Sequence, residues 1–391
     1  MSACSTIIPT NLHFDRRSGL VSQPCYTTNS PRLPGVFYFY AGLFPPIEVG
    51  DKEKLMNLEE TRSIRISLPS KGRLADDCLA FLAAAGLSVY RPNPRQYEAV
   101  IPSVPNLHVL FQRPADIVTS VREGSVDFGI SGMDVIEERR GEDGQLLVLH
   151  DALNFGGCML ALAVPETWGN VTQVEHLAQQ VKSLGRPLHI ATKYPILTQR
   201  FLYQFQIPHS LIYAEGTLET APAIGYADMI CDIVSSGQTL RDNRLRPLVD
   251  GVILRSQASL ISNVQVLKTN PEALKIARLL IEFFDAHLRA SDNLAIFANM
   301  RGDSPEAIAA QIFTQPTIRG LQGPTISRII VQGAEQNWYA ANIIVQRSRV
   351  YDAINELRAI GGSGVVVMPL TFIFDEEPPR YVAMLKALGM A

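Results

Sequence analysis

This sequence lacks the features that define several protein classes. Lys and Arg (35) nearly balance Asp and Glu (38), for a net charge of -3, so no basic field indicates a nucleic-acid or anionic-membrane partner. The five cysteines are odd in number and form no CxxC pair, which argues against a disulfide scaffold and a structural zinc site. No HExxH motif and no apolar run of membrane-spanning length occur. We therefore expect a soluble protein with reduced thiols.

Residues 1–60 also lack hydrophobic periodicity, and acidic residues are nearly absent from them before Ile47. This part of the chain is rich in Pro, Ser and Thr, a composition typical of organelle transit peptides. Arg16, Arg17 and Arg32 are few for that role, and a misplaced start is the alternative, since Met56 stands just before the ordered pattern. We predict a disordered leader and leave it out of the fold prediction.

From Ile64 onward, short apolar strands alternate with amphipathic helices. The predicted strands and helices of the first block are Ile64–Leu68, Leu74–Ala85, Leu107–Phe111, Ile117–Glu123 and Val126–Ile130. This alternation predicts a largely parallel sheet that binds its ligands at the carboxyl ends of the strands. A second α/β block follows, and residues 252–262 then return toward the first, which is typical of a two-lobed clamshell. Residues 271–290 are predicted to form a long amphipathic helix.

The C-terminal part predicts a smaller third unit. Strands at Leu294–Ala298, Ile326–Gln332, Ala340–Gln346 and Gly364–Pro369, with helices after Ser304 and Arg347, follow the ferredoxin-like order βαββαβ. Units of this kind often sense small molecules, although a fold alone never establishes a function. The predicted organisation is a leader (1–60), a first lobe (61–158, with 250–270 returning to it), a second lobe (159–249), a linking helix (271–290) and a C-terminal unit (291–391).

The most informative segment is ETAPAIGYADMICDIVSSGQTL, residues 219–240. An apolar strand carries Asp228 and Asp232, whose even spacing places them on one face. The strand leads into the loop at residues 235–239, where hydroxyls, backbone N–H groups and a helix start can converge on a phosphate. Carboxylates upstream suit ribose hydroxyls or a divalent ion bound to them. The alternative is an ordinary strand-to-helix turn with a capping Ser or Thr.

Three further polar positions each have more than one interpretation. Lys71–Arg73 could bind an anion or form a solvated turn. Arg113 could meet a phosphate, cap a strand, or pair with Asp116 or Asp134. Tyr194 could contact adenine or be a packed aromatic residue. Cys158 and Cys231 have no neighbouring His in sequence, so we interpret them as core residues rather than nucleophiles.

Taken together, these motifs resemble those of the ATP phosphoribosyltransferase family, in the long form that carries a regulatory domain. The resemblance covers about Ile64 to Leu388 and rests on several blocks in the same order: LPSKGRL, NPRQY, RPADI, GSVDFGISGMD, NFGGC, ATKYP, the SSGQTL loop, and LQGPTIS and GGSG near the C-terminus. It implies an α/β fold with a periplasmic-binding-protein-like catalytic clamshell and a ferredoxin-like, ACT-like regulatory domain. The 60 residues before Ile64 fall outside the family pattern.

The resemblance also implies a reaction and its site. ATP would attack phosphoribosyl pyrophosphate through N1 of adenine and displace pyrophosphate, with Mg²⁺ as cofactor, at the entry to histidine biosynthesis. Asp228 and Asp232 would orient the ribose and the metal. The residues implied for the 5-phosphate are Ser235, Ser236, Gly237, Gln238 and Thr239. Those implied for ATP and pyrophosphate are Lys71, Gly72, Arg73, Arg95, Arg113 and Tyr194.

Regulation and assembly follow from the same resemblance. Histidine would inhibit by binding the C-terminal domain, with Ser363 as a candidate contact, although GGSG could simply end a helix. A dimer that assembles into a hexamer is expected, in the cytoplasm, or in a plastid if residues 1–60 are a transit peptide. Two alternatives remain: a non-catalytic two-lobed sensor that binds a small ligand, and a catalytically inactive regulatory paralogue.

Overall fold

Residues 63–321, 323–330 and 337–390 are described here from a computed structural model. The predictions for the leader and for the end of the strand Ile326–Gln332 lie outside these residues. Within the described residues, no helix is long and apolar enough to cross a membrane.

The first lobe is built from parallel strands with crossover helices. Its elements are β1 (Ile64–Pro69), α1 (Arg73–Ala84), β2 (Glu98–Val100), β3 (Leu107–Gln112), α2 (Pro114–Arg122), β4 (Phe128–Gly132), α3 (Met133–Arg139) and β5 (Leu146–His150). Strand β1 pairs in parallel with β3 and β4, as the alternation predicted. Five of its six residues are buried, and Ser67, a polar position in the alternating sequence IRISLP, donates a hydrogen bond to Gln112 over 2.7 Å. The short elements β2, α3 and β5 were not predicted.

The second lobe has its own five-stranded sheet. Its elements are β6 (Cys158–Pro165), α4 (His176–Leu184), β7 (Leu188–Thr192), α5 (Pro195–Gln204), β8 (His209–Tyr213), β9 (Met229–Val234), α6 (Gln238–Asp242) and β10 (Leu245–Ser256). The strand order is β10-β6-β9-β7-β8, with β7 parallel to β8 and β9. Because β7 and β9 are parallel neighbours, α5 and the SSGQT loop begin at the same edge of the sheet.

The return to the first lobe differs from the prediction. Strand β10 pairs antiparallel with β6 in the second lobe as far as Ser256. Only the next strand, β11 (Ala258–Asn263), joins the first sheet, between β4 and β5. Periodicity alone cannot show this change of sheet, because both strands are apolar and extended.

Two crossings of the chain join the lobes, one at residues 151–157 and one at Gln257. The N–H of Leu153 donates to the carbonyl of Ala258 over 3.0 Å, and the N–H of Ala258 donates to the carbonyl of Phe155 over 3.0 Å. The crossings are therefore bound to each other and lie side by side.

Helices α7 (Val264–Thr269) and α8 (Pro271–Ser291) follow β11. The side chain of Asn270 accepts hydrogen bonds from the N–H groups of Glu272 and Ala273, and so caps α8. The apolar side of α8, including Leu280 and Phe284, is buried in the core of the first lobe. The helix predicted as a linker is thus also part of that core.

The C-terminal unit is a four-stranded antiparallel sheet with two helices. Its elements are β12 (Asn293–Arg301), α9 (Pro305–Phe313), β13 (Thr325–Ile329), β14 (Trp338–Gln346), α10 (Val350–Ala359) and β15 (Ser363–Pro369). The order β13-β14-β12-β15 is that of a ferredoxin-like fold, as predicted. The hydroxyl of Ser304 accepts the N–H of Ala307 and caps α9, which confirms the predicted helix start.

After β15 the chain returns to the first lobe. Helix α11 (Pro379–Leu388) packs Met384 and Leu388 into the core that also contains α8. Arg380 bonds to Asp285 over 3.1 Å and to Asp151 over 2.5 Å. The C-terminal sheet is therefore inserted between two helices of the same core.

Candidate active site

A cavity of about 520 Å³ lies at the carboxyl ends of strands from both lobes. The first lobe contributes the start of α1, the residues between β3 and α2, and α3. The second lobe contributes the end of β7 and the end of β9. The lining residues that carry charge are Arg73, Arg113, Asp116, Asp134, Glu138, Arg139, Lys193 and Glu215.

Four cations line this cavity, three from the first lobe and one from the second. Arg73 bonds to Asp77 over 3.4 Å, but its side chain remains 81% exposed. Among the described residues, Arg113, Arg139 and Lys193 have no ion-pair partner within 4.0 Å. Unpaired cations that converge on a concave surface are typical of sites for anionic ligands. Of the alternatives considered for Arg113, the structure excludes an ion pair with Asp116 or Asp134.

Two buried carboxylates on α3 are already occupied. Asp134 accepts hydrogen bonds from the hydroxyls of Tyr194, at 2.7 Å, and Ser256, at 2.6 Å. Glu138 accepts the N–H groups of Ile196 and Leu197, both at 2.9 Å. Burial raises the pKa of Glu138, and these two N–H groups oppose the rise only in part. Neither residue was predicted as part of the site.

Tyr194 lines the cavity, but its environment differs from that of an adenine partner. The side chain is 3% exposed and packs in the core of the second lobe. Burial and the neighbouring Asp134 raise the pKa of its hydroxyl, so the group stays protonated and donates. Little of the ring remains open to stacking, so the expected contact between Tyr194 and ATP is corrected. Tyr194 is a packed aromatic residue that forms part of the cavity wall, as the alternative interpretation stated.

The SSGQT loop connects β9 to α6 at the cavity edge, and Ser235 lines the cavity. Gly237 has φ of 70°, a conformation that glycine adopts without strain. The N–H of Gln238 donates to the hydroxyl of Ser236 over 3.3 Å. A bond of this kind is what the alternative interpretation, an ordinary turn capped by a serine, predicts. The side chains of Ser235, Ser236, Gln238 and Thr239 are exposed, and a ligand can reach them.

The two predicted aspartates lie in different environments. Asp228 precedes β9, and its carboxylate bonds to Arg186 at 2.6 and 2.8 Å and to the N–H of His189 at 2.7 Å. Asp232 lies four residues further on, about 13 Å along an extended strand. We correct the prediction for Asp228: it is bound at the amino end of the sheet and does not line the cavity.

Asp232 is partly buried and, like Asp228, does not line the cavity, although its neighbour Ile233 and the nearby Ser235 do. Burial raises its pKa to about 6, with the N–H of Ile233 opposing the rise, Glu219 adding to it and Lys193 lowering it. Lys193 is therefore within electrostatic range. Asp228 behaves differently: burial would raise its pKa, but Arg186 and the N–H of His189 outweigh burial and hold the pKa below its usual value.

The described residues contain no group of three or more His, Cys, Asp or Glu side chains arranged to hold a metal ion. The expected Asp228–Asp232 metal pair does not fit, because the Asp228 carboxylate is bound to Arg186. Mg²⁺ commonly binds through one or two carboxylates together with substrate phosphates. Asp232 alone fits that pattern, with the ion arriving on the substrate.

The remaining residues that were predicted to contact ligands do not line the cavity. Lys71 and Gly72 are exposed in the loop before Arg73 but do not line the cavity. Arg95 lies in a turn that ends at Tyr97, whose carbonyl accepts the N–H of Phe111. The hydroxyl of Ser363, in the C-terminal unit, donates to the carbonyl of Asn299 over 3.2 Å.

The NFGGC segment has a backbone role, as its glycines suggested. Gly156 has φ of 66°, and a Cβ there would lie 2.7 Å from Leu74 Cδ1. Burial raises the pKa of the Cys158 thiol, and that of Cys231 to about 12, so neither is a thiolate at neutral pH. Cys231 is buried in the core of the second lobe, as predicted, but Cys158 is only partly buried and lines the cavity, so the interpretation of Cys158 as a core residue is wrong.

Arg139 and Lys193 are the cavity cations that sequence reasoning missed. Lys193 stands in the ATKYP block, beside the tyrosine that attracted attention, so a motif signal existed. Arg139 follows two glutamates in a charged run, which ordinarily indicates only a solvated helix face. Its place at the cavity depends on α3, which was not predicted.

Comparison with known proteins matches two family models in succession. Residues 113–283 match "HisG: ATP phosphoribosyltransferase", and residues 290–372 match "HisG, C-terminal domain". ATP phosphoribosyltransferase 1, chloroplastic, from Arabidopsis thaliana is 43% identical over 338 residues, which cover 85% of this chain and 82% of the relative. ATP phosphoribosyltransferase from Rhodopseudomonas palustris (strain HaA2) is 29% identical over 322 residues, which cover 81% of this chain and 95% of the relative.

Among solved structures, the ATP phosphoribosyl transferase (HisG:HisZ) complex from Thermotoga maritima aligns with a TM-score of 0.45 and 25% identity. The alignment covers 57% of this chain and 96% of that chain.

Opposite effects on stability are expected for Asp228→Asn and Asp232→Asn. The raised pKa of Asp232 means that its charge destabilises the fold above about pH 6. Asp232→Asn should therefore raise the free energy of unfolding at pH 7, by ~3 kcal/mol at most, with the gain shrinking toward pH 4. The lowered pKa of Asp228 stabilises the fold at neutral pH, and this contribution is lost as pH falls through that pKa. Asp228→Asn should therefore lower stability at pH 7.

Thermal unfolding of both variants at pH 7 and pH 4.5 measures this difference. Equal destabilisation by the two substitutions at pH 7 would show that Asp232 is an ordinary structural carboxylate.

Proposed function

The chain belongs to the ATP phosphoribosyltransferase family, and from this premise we propose which of its residues carry the reaction. The enzyme catalyses the first step of histidine biosynthesis, in which ATP and phosphoribosyl pyrophosphate give N1-(5-phosphoribosyl)-ATP and pyrophosphate. It is a pentosyltransferase: the bond from C1 of the ribose to pyrophosphate breaks as a bond to N1 of adenine forms.

The observation that carries the site assignment is the set of four cations that face one cavity from two lobes, three of which have no ion-pair partner among the described residues. Both substrates are polyanions, and their reacting atoms must approach each other despite strong repulsion. Arg73, Arg113 and Arg139 from the first lobe and Lys193 from the second supply positive charge around that point. They would also stabilise the negative charge that develops on the departing pyrophosphate.

The loop after β9 is the proposed site of the 5-phosphate. Ser235, Ser236, Gly237, Gln238 and Thr239 offer hydroxyls and backbone N–H groups at the edge of the cavity. Gly237, which is partly buried, lets the backbone of this turn approach a ligand without a Cβ in the way. Phosphate at this loop places the ribose beside the end of β9, where Asp232 lies. Asp232 is the proposed catalytic carboxylate, which accepts hydrogen bonds from ribose hydroxyls and faces the cationic C1 centre.

Mg²⁺ is the proposed cofactor, delivered with the substrate phosphates and held in part by Asp232. When bound, it neutralises pyrophosphate charge.

Lys71, Gly72 and Arg95 are proposed to contact substrate phosphates only at the outer rim, since they lie outside the cavity lining. The proposed catalytic lobes are residues 63–150 together with 258–291, and residues 158–256, and the proposed regulatory unit is residues 293–369.

Pyrophosphate release tests the reaction and its regulation together. Purified enzyme with Mg²⁺ should release pyrophosphate only when both ATP and phosphoribosyl pyrophosphate are present. Histidine should lower the rate through the C-terminal unit, and Ser363→Ala should raise the histidine concentration required. Release that does not respond to histidine would remove the regulatory proposal alone, whereas folded protein without release would support a non-catalytic binding module.

Charge removal at Arg139 and Lys193 tests the cavity. Arg139→Gln and Lys193→Gln should each lower kcat/KM by roughly ten- to a hundredfold, because each removes a charge-assisted contact to phosphate. Arg140→Gln is the matched control: Arg140 caps the C-terminus of the same helix, but it pairs with Glu137 at 2.7 Å and does not line the cavity. Similar losses at Arg139 and Arg140 would indicate a general field effect and not a site.

The leader is proposed to direct the protein to a plastid. Relatives from Arabidopsis thaliana are named chloroplastic, and residues 1–60 have the composition of a transit peptide. Residues 1–60 fused to a fluorescent protein should be imported into isolated chloroplasts and cleaved. No import of the fusion would contradict this location and favour the cytoplasm, whereas import of residues 61–391 without the leader would show that another part of the chain directs the protein to the plastid. Assembly of dimers into a hexamer is a further proposal, which the mass of the purified enzyme in solution will check.

A further inference from the structure

We infer that Asp134 and Glu138 of α3 are positioning residues, which clasp the second lobe so that cations of both lobes face the same substrates. The inference rests on the proposed binding of both substrates in this cavity. It extends that proposal to two residues that need not touch either substrate.

Asp134 joins three parts of the chain. It lies in the first turn of α3 in the first lobe and accepts a hydrogen bond from Tyr194, which precedes α5 in the second lobe. Its other oxygen accepts the hydroxyl of Ser256, the last residue before the crossing at Gln257. Ser256 in turn accepts the N–H of Asp134 over 3.0 Å. Gly132 makes room for this arrangement, because a Cβ there would lie 2.3 Å from an Asp134 oxygen.

Glu138 lies one turn further along α3 and holds the start of α5. Its two oxygens accept separate N–H groups, those of Ile196 and Leu197, in the first turn of that helix. A carboxylate at a helix N-terminus gains from unsatisfied N–H groups and from the helix dipole. Glu138 is 7% exposed, so the contact is shielded from water and from salt.

Two residues of the clasp, Glu138 and Tyr194, are each next to a cavity cation in the sequence. Arg139 directly follows Glu138, and Lys193 directly precedes Tyr194. Each carboxylate contact thus fixes the backbone next to a cation, one in each lobe. A shift of α5 against α3 would change the separation between Arg139 and Lys193, and therefore their fit to a bridging polyphosphate.

Stability alone gives little reason for this arrangement. Each lobe has a separate hydrophobic core, and buried carboxylates lose much of their hydration. Apolar side chains of similar size often hold such an interface equally well. Directional bonds that fix α3 against α5 suit positioning, where displacements of about 1 Å can cost a hundredfold in rate.

Three substitutions test the clasp in the full-length enzyme. Glu138→Gln keeps size but leaves one acceptor for two N–H groups, and Tyr194→Phe removes only the hydroxyl. Asp134→Asn loses one acceptor oxygen. The matched control is Glu137→Gln, on the same helix, whose partner is the neighbouring Arg140. The measurements are kcat, KM for ATP and for phosphoribosyl pyrophosphate, and the unfolding midpoint.

Glu138→Gln should lower kcat roughly ten- to a hundredfold at saturating substrates, with smaller changes in KM, because each lobe can still bind its own substrate groups. Tyr194→Phe should lower kcat by roughly three- to tenfold. The double variant Asp134→Asn/Tyr194→Phe should lose less than the two single losses combined, because the two side chains share one bond. Unfolding midpoints should stay within about 3 °C of the control for a protein of this size.

Several results would overturn the inference. The inference fails if Glu138→Gln has the same kcat and KM as Glu137→Gln. It also fails if saturating substrate restores the activity of Glu138→Gln to that of the control. Additive losses in the double variant would also contradict the shared bond. If Glu138→Gln does not fold, Tyr194→Phe decides alone, because it removes a single oxygen. Inactive wild-type enzyme would instead reject the proposed function and leave the clasp without a reaction to position.

Discussion

The geometry of the cleft depends on two chain crossings that are hydrogen-bonded to each other. Residues 151–157 pass from β5 to β6, and Gln257 returns the chain from β10 to β11. The N–H of Met133, at the start of α3, donates to the carbonyl of Gln257 over 3.0 Å. Helix α3 is therefore fixed to the crossing itself, and it carries Asp134, Glu138 and Arg139 toward the second lobe. Relative movement of the lobes has to pass through this small, bonded region.

Within the cleft, the distribution of charge separates structure from binding. The carboxylates of Asp134 and Glu138 are satisfied by donors of the protein, whereas Arg113, Arg139 and Lys193 have no ion-pair partner among the described residues. A buried acceptor without a donor would cost free energy, so these carboxylates must be paired in the folded state. Cations at a solvated cavity remain hydrated, so they cost the fold little free energy when no ligand is bound. The cavity thus keeps a positive surface toward its substrates although acidic residues surround it.

Sequence reasoning recovered the elements with strong local signals. Strand β9 was predicted closely because it is an apolar run. The starts of helices α8 and α9 were predicted closely because Asn270-Pro271 and Ser304-Pro305 mark them. It missed α3 and β5, which are short, and it placed β10 in the wrong lobe, because a change of sheet leaves no trace in periodicity. Asp228 and Asp232 illustrate the limit for sites. Even spacing puts two residues on one face, but it does not show that Asp228 pairs with Arg186 while Asp232 has no ion-pair partner among the described residues.

The C-terminal unit shows how covalent order and packing combine. Its first strand, β12, follows α8 after a single residue, and its last strand leads to a segment that returns to the same helix. Arg289 near the end of α8 bonds to Asp375 through both guanidinium nitrogens, and the N–H of Ile373 donates to the carbonyl of Ala286 over 3.0 Å. Both ends of the unit are therefore held on one helix of the first lobe. A ligand of this sheet can influence the cleft only through differential contacts in two states. Since α8 is buried in the core beneath β1 and β4, a displacement at its end would act on the same sheet that presents Arg73, Arg113 and α3 to the substrates.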